Sequence, residues 1–125
     1  MTFLIALIFL TIRIVDLGAN YESVARYLAK TYEYHITCLN LSEIENERNR
    51  AMNREESLDK LMIVIKKSFE NMSLSNSSFD LVWSQDAFLH SSNRAKLMRE
   101  IDKVLVKKYE RVVFTNSITT KMATS

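Results

Sequence analysis

The 125-residue sequence has one glycine and no proline, where average usage is about 7% and 5%. Turns ordinarily draw on those two residues. Their near absence leaves either a mostly helical protein or an α/β protein whose turns have been eroded. A single cysteine, Cys38, excludes an internal disulfide and fits a reducing, cytoplasmic compartment. Two histidines and one cysteine, far apart in the chain, give no ligand spacing, so no metal is expected. A net charge of +2 is too small to argue for nucleic acid or an anionic membrane as a partner.

A hydrophobic fraction of 47% with 26% charged residues belongs to a soluble globular protein, and the length to one domain. The opening run "MTFLIALIFLTIRIV" holds roughly 10 to 12 apolar residues before Arg13, too few to span a bilayer. It lacks the basic start and small-residue cleavage site of a signal peptide, so it reads as a buried segment running into a first strand. Three N-x-S/T triplets, at Asn40, Asn71 and Asn76, read as chance occurrences without such a signal.

Apolar runs then alternate with helical patterns, the signature of βαβ units and a parallel sheet. A strand is expected over Ile12 to Leu17, then a helix from Glu22 to Tyr32 with Val24, Tyr27, Leu28 and Thr31 on its buried face. "HITCLNL" reads as the second strand. Ser42 with Glu45 forms a capping box opening a charged, solvated helix to about Glu56, in which Glu47 and Arg50 support one another. "LMIVIKKSF" and "FDLVWSQ" are strands three and four, separated by a polar loop. A helix from Asn93 to Val106 carries an apolar stripe of Leu97, Ile101, Val104 and Leu105. "RVVFTN" is strand five, and "SITTKMATS" reads as a frayed tail. The expected fold is α/β, a Rossmann-like open parallel sheet of about five strands in order 3-2-1-4-5.

In such a sheet ligands sit beyond the carboxyl ends of the strands. A nicotinamide turn would read G-x-G-x-x-G, whereas here Asp16 precedes Gly18 by two places and no further glycine follows. The glycine lets a backbone approach a ligand closely, and the acid suits a ligand carrying cationic groups; a strand-capping aspartate explains "DLG" equally well. Asn40 lies 22 residues after Gly18, at the end of strand two, where a ribose-binding side chain is expected. A turn residue at the start of a helix is the competing explanation. In "WSQDAFLHSSNR", Asp86 and His90 stand at i, i+4, so a helical segment would put them on one face as an acid–base pair. The competing explanation is a solvent-exposed loop histidine.

The runs beginning "VDLGA" and "CLNLSE", with "KSFE" and above all "SFDLVWSQDAFLHS", resemble the sarcosine/dimethylglycine N-methyltransferases of the S-adenosylmethionine-dependent class. Phosphoethanolamine methyltransferases carry a similar "DA-LH" element. The likeness spans about Ile14 to Asn116. It implies that Asp16, Gly18 and Ala19 lie against the methionine end of S-adenosylmethionine and Asn40 against its ribose. Ser68 and Phe69 would meet the adenine side, and Gln85 with Asp86 the wall after strand four. His90 matches a histidine of the phosphoethanolamine enzymes' active site. The implied activity is methyl transfer to the nitrogen of a small amine such as sarcosine or dimethylglycine, with His90 and Asp86 as the catalytic pair.

The chain departs from that family where glycines are usual, at Asn20 and Glu22 and in "KKYE", Lys107 to Glu110, and Asn116 stands for an aspartate. It reads as a single partial methyltransferase domain, with an apolar segment 1–11, a cofactor-binding core 12–116 and a tail 117–125. Strand five would be an exposed apolar edge, open to pairing as a homo-oligomer. The alternative is a non-catalytic remnant that binds cofactor weakly or a protein partner. A nicotinamide oxidoreductase is a distant third.

Overall fold

The computed structural model describes residues 12–18, 22–85, 91–106, 111–115 and 120–124. Its elements run β1 (Arg13–Leu17), α1 (Glu22–Tyr32), β2 (His35–Leu39), α2 (Glu43–Glu55), β3 (Met62–Ile65), β4 (Leu81–Gln85), α3 (Arg94–Val104), β5 (Arg111–Thr115) and β6 (Thr120–Thr124). They form one sheet of order β3-β2-β1-β4-β5-β6. Its first five strands are parallel, in the order the sequence predicts.

Alternation along the strands divides the core between two faces. Ile14, Ile36, Cys38 and Met62 cluster with Ala25 and Ala29 of α1. Val15, Leu17, Leu39 and Val82 cluster with Leu97, Ile101 and Val104 of α3. The α3 stripe is buried as its spacing predicts. On α1 only Leu28 of the predicted face packs against the core: Ala25, Arg26 and Ala29 are buried, while Val24 and Tyr27 are 39% and 59% exposed and Thr31 is also exposed. The two alanines, four residues apart, are short enough for the helix backbone to lie close to the sheet. Tyr27 and Tyr32 meet edge to face and Tyr32 stacks on Tyr34 instead.

The expectation of a solvated α2 is corrected on one face. The helix buries three asparagines, Asn46, Asn49 and Asn53, where a stripe of apolar residues is usual. Asn46 Nδ2 donates to Asn40 O at 2.9 Å, and Asn49 Oδ1 accepts from Arg26 Nη1 at 3.1 Å. Arg26 also pairs with Glu56 at 3.6 Å. The Ser42 cap forms as predicted, accepting from Glu45 N at 3.3 Å, and Arg50 pairs with both Glu47 and Glu43.

β2, β3 and β4 are each at least two residues shorter than predicted. β3 stops at Ile65 because its one neighbour, β2, ends at the paired Leu39, where Asn40 turns into the Ser42 cap. Phe79 sits before β4 in a bridge to Leu105. The tail is corrected too: β6 pairs antiparallel with β5 from Arg111↔Thr124 to Thr115↔Thr120. It supplies the strand that β5 was expected to lack, so β5 is not the exposed edge through which a homo-oligomer would form.

The scarcity of glycine shows in the turns. Glu33, Ser57, Ser73 and Ser77 hold φ of 58°, 60°, 51° and 52°, left-handed values usually given to glycine. Such a conformation costs a non-glycine residue roughly 1–2 kcal/mol. Ser57 follows α2 at the position where helices favour a left-handed glycine. Ser57→Gly is therefore expected to stabilise the fold by about 1 kcal/mol, read as a higher midpoint in urea unfolding with an unchanged slope.

Candidate cofactor site at the carboxyl edge of the sheet

β1 fixes the site because it is bonded on both sides. Leu17 is in register with Leu39 of β2 and with Ser84 of β4, and Leu39 with Ile65 of β3. The chain therefore leaves all four strands at nearly one level, at Gly18, Asn40, Lys66 and Gln85. Gly18 has φ of 65° and its N–H donates to Leu39 O at 2.8 Å. Among the described residues, a Cβ added there would meet the Phe69 ring alone, with Cε1 at 3.8 Å. Bare backbone thus lies open between the strand ends, and the need is for a left-handed residue more than for space. Asp16, one turn of strand earlier, is buried at 5% exposure.

Asn40 stands beside this turn, half-buried, with its carboxamide engaged locally. Its Nδ2 donates to Glu45 Oε2 at 2.7 Å and its Oδ1 accepts from Ser42 N at 3.1 Å. Asn40 is thus a turn residue, and it brings the Glu45 carboxylate to the edge. Leu41 and Ile44 lie next to it at 60% and 78% exposure, an apolar surface at the same end of the sheet. Glu45, Leu41 and Ile44 escaped the sequence reading. Glu45 was assigned wholly to helix capping and Leu41 to the strand.

Ser68 and Phe69 follow β3. Ser68 Oγ accepts from Glu70 N at 3.1 Å, closing a tight turn that swings the Phe69 ring across to Gly18 and onto the core of the α3 face. Glu70, unremarked in the sequence, then crosses to the segment before α3. Its Oε2 accepts from Asn93 N at 2.8 Å and from the hydroxyl of Ser91, and its Oε1 from Ser92 Oγ at 3.3 Å. The Ser91 hydroxyl and the Asn93 N–H together hold its carboxyl below the ordinary 4.5. Further along, the buried Met72 N–H donates to Glu100 Oε1 at 2.9 Å. Burial pushes the Glu100 carboxyl up, but the Met72 bond and Lys103 outweigh it and leave the group below 4.5. Gln85 ends β4 in register with Thr115. Ala19, Asp86 and His90 lie outside the described residues, as do Asn20, the 107–110 turn and Asn116.

Residues 15–108 match the model of a family described as "Methyltransferase domain". The chain belongs to this methyltransferase-domain family. It is 50% identical over 111 residues to a glycine/sarcosine/dimethylglycine N-methyltransferase of Actinopolyspora halophila, covering 89% of this chain and 20% of that protein. It is 46% identical over 108 residues to a sarcosine/dimethylglycine N-methyltransferase of Aphanothece halophytica, covering 86% of this chain and 39% of that protein. A Galdieria sulphuraria structure described as a sarcosine dimethylglycine methyltransferase superposes with a TM-score of 0.79 at 31% identity, over 90% of this chain and 43% of that one. The chain thus spans well under half the length of these relatives. Among the described residues no helix of this methyltransferase-family chain is long and apolar enough to cross a membrane.

The carboxylates that tie the β3–β4 loop to α3 and the segment before it, Glu70 in the loop and Glu100 on the helix, give an acid dependence with a definite sign. Their folded pKa values lie below the unfolded ones, so their contribution is present above about 4.5 and is lost as pH falls through the lowered values. Melting followed between pH 6 and pH 3 is expected to show a steeper loss of stability in the native chain than in Glu70→Gln. Glu100→Ala, which leaves the buried Met72 N–H without an acceptor, is expected to cost about 1–3 kcal/mol. Glu100→Gln, retaining an acceptor oxygen, is expected to recover most of it in the same unfolding measurement.

Proposed function

We propose that this methyltransferase-family chain binds S-adenosylmethionine at the carboxyl edge of its sheet and transfers the methyl group to the nitrogen of a small amine of the sarcosine or dimethylglycine kind. The observation that carries the reading is Gly18, left-handed and with the Phe69 ring its nearest described side chain, between strand ends set level by β1. The open backbone fits a cofactor whose methionine part must come close. The named activities of the relatives support this acceptor class.

In this reading Asp16, Gly18 and Ala19 hold the methionine end. Asn40, with the Glu45 carboxylate against it, faces the ribose hydroxyls, and Ser68 with Phe69 bounds the adenine. When bound, the cofactor supplies an electrophilic methyl carbon on a sulfonium sulfur. The chain's part is to hold the acceptor nitrogen in line with that carbon, which accounts for most of the acceleration in such displacements. Gln85 and Asp86 wall the acceptor side. His90 takes the amine's proton on a ring nitrogen, with Asp86 orienting the ring. We place this core at residues 12–116 of one partial domain, in a cytoplasmic setting. The buried position and single copy of Cys38 support that setting.

A second reading has its own support in Glu22. The first residue of α1, it is an acidic residue where the resembled family usually has glycine, and so favours a non-catalytic remnant with weak cofactor affinity. Calorimetric titration of the folded chain with S-adenosylmethionine, with nicotinamide adenine dinucleotide as control, decides between them. Micromolar binding of the first alone, weakened at least tenfold in Gly18→Ala, is the expected result. Glu22→Gly should tighten it. Absence of binding in the native chain and in Glu22→Gly would leave the remnant reading standing.

A further inference from the structure

The three helices leave one part of the sheet bare. α1 and α2 lie on the same face, where Arg26 of α1 bonds Asn49 of α2, and they cover β1, β2 and β3. α3 runs from β4 to β5 in the opposite direction across the sheet, and a right-handed crossover then puts it on the other face. On that other face β4 is sealed, with Val82 and Ser84 at 0% and 1% exposure. On the α1 face its alternate residues, Leu81 and Trp83, are half-buried at the border of the core. Among the described residues no helix follows over β4 on this face.

α1 turns an apolar flank to the same side. Successive helical residues are about 100° apart. Val24, Leu28 and Thr31 therefore lie on the flank opposite Arg26, away from α2 and toward β4, with Tyr27 above them. Val24 and Tyr27 are 39% and 59% exposed and Leu28 is half-buried. These four are the residues whose spacing predicts a buried face. With Leu81 and Trp83 they make a continuous apolar surface, the kind that marks a docking site.

An occupant of matching chemistry and length stands next to it in the chain. Residues 1–11, MTFLIALIFLT, are apolar apart from Thr2 and Thr11 and lead directly into Ile12. The Ile12 side chain packs against the α1-face core, and its carbonyl accepts from His35 N at 3.1 Å. The segment thus departs from the bare face itself, at the amino edge of the sheet. It cannot extend the sheet there, because β1 is paired on both sides. Eleven residues of helix reach about 16 Å, and a five-residue strand such as β4 spans about 17 Å. A tether this short holds the segment at an effective concentration of about millimolar.

We infer that residues 1–11 dock as a helix on the apolar surface between α1 and β4. Leu4, Leu7 and Ile8, which share one helical face, meet Val24, Leu28, Leu81 and Trp83, and Thr2 with Ala6 faces outward. The interface lies on the flat of the sheet, not at its carboxyl edge, and does not depend on the cofactor reading.

Paramagnetic broadening in the ¹⁵N-labelled full chain tests this. A nitroxide is attached at Ala6→Cys, the native Cys38 being buried and out of reach of the reagent. The backbone amides of Val24, Tyr27 and Leu28 and the Trp83 indole N–H are expected to lose at least half their intensity. Amides 97–104 of α3, behind the sheet, should keep most of theirs. Absence of broadening at α1 and Trp83 overturns the inference. So does broadening of an unlabelled ¹⁵N chain mixed with a nitroxide-bearing ¹⁴N chain, since a second copy then fills the surface. A chain carrying Leu4→Asn, Leu7→Asn and Ile8→Asn provides a second reading through Trp83, the one tryptophan. Acrylamide quenching of its fluorescence should rise at least threefold, and unchanged quenching in a folded variant also overturns the docking. If that variant does not fold, the broadening decides.

Discussion

The pairing of β1 on both of its edges is the constraint from which the rest follows. A parallel strand bonded on each side cannot slip in register without exposing its whole buried set, and β1 contributes Ile14 to one core face and Val15 and Leu17 to the other. Leu17 is thereby held level with Leu39 and Ser84. The residues that follow these strands converge because the strands end together, not because any of them attract one another. Arg13 secures the opposite end, its N–H and guanidinium both on Asp80 just before β4.

Around that centre the chain solves with polar groups what related architectures usually solve with small or apolar ones. α2 packs through asparagines, and each buried carboxamide needs a partner for the helix to sit at low cost. Arg26 on α1 and the Asn40 carbonyl supply two of them. The same pattern holds in the loop from β3 to β4, which has no helix of its own. Glu70 and Glu100 tie it to α3 from either end, and Ser77, Ser78 and Phe79 add backbone bonds to Lys103 and Val104. A strap fixed by carboxylates keeps Phe69 against Gly18 without glycine or proline in the turn. The left-handed Ser73 and Ser77 within it carry the strain that glycine would have relieved.

The parallel order, the capping of α2 by Ser42 and the stripe on α3 could be read from residue spacing, because period and cap are properties of short stretches. Gly18 could be read as well, since a single glycine at the end of an apolar run has few structural uses. The buried face of α1 could not: Tyr27 is larger and more apolar than Ala25, but a helix crossing between adjacent parallel strands is chosen by how closely it can approach. The tail was misread for a related reason. Nothing in "TKMAT" marks a strand until β5 presents an edge for it.

What the sequence by itself determined is the alternation of strands and helices and which residues follow each strand, because both follow from local periodicity. The bonding of those residues was decided by the tertiary structure. Asn40 is drawn into the Ser42 turn and Glu45 is brought beside it, Glu70 reaches segments 21 to 23 residues away, and Asn53 is buried with its carboxamide bonded to no described group. Each of these depends on which groups a folded neighbour brings within about 3 Å, the length of a hydrogen bond, and spacing along a chain does not encode that.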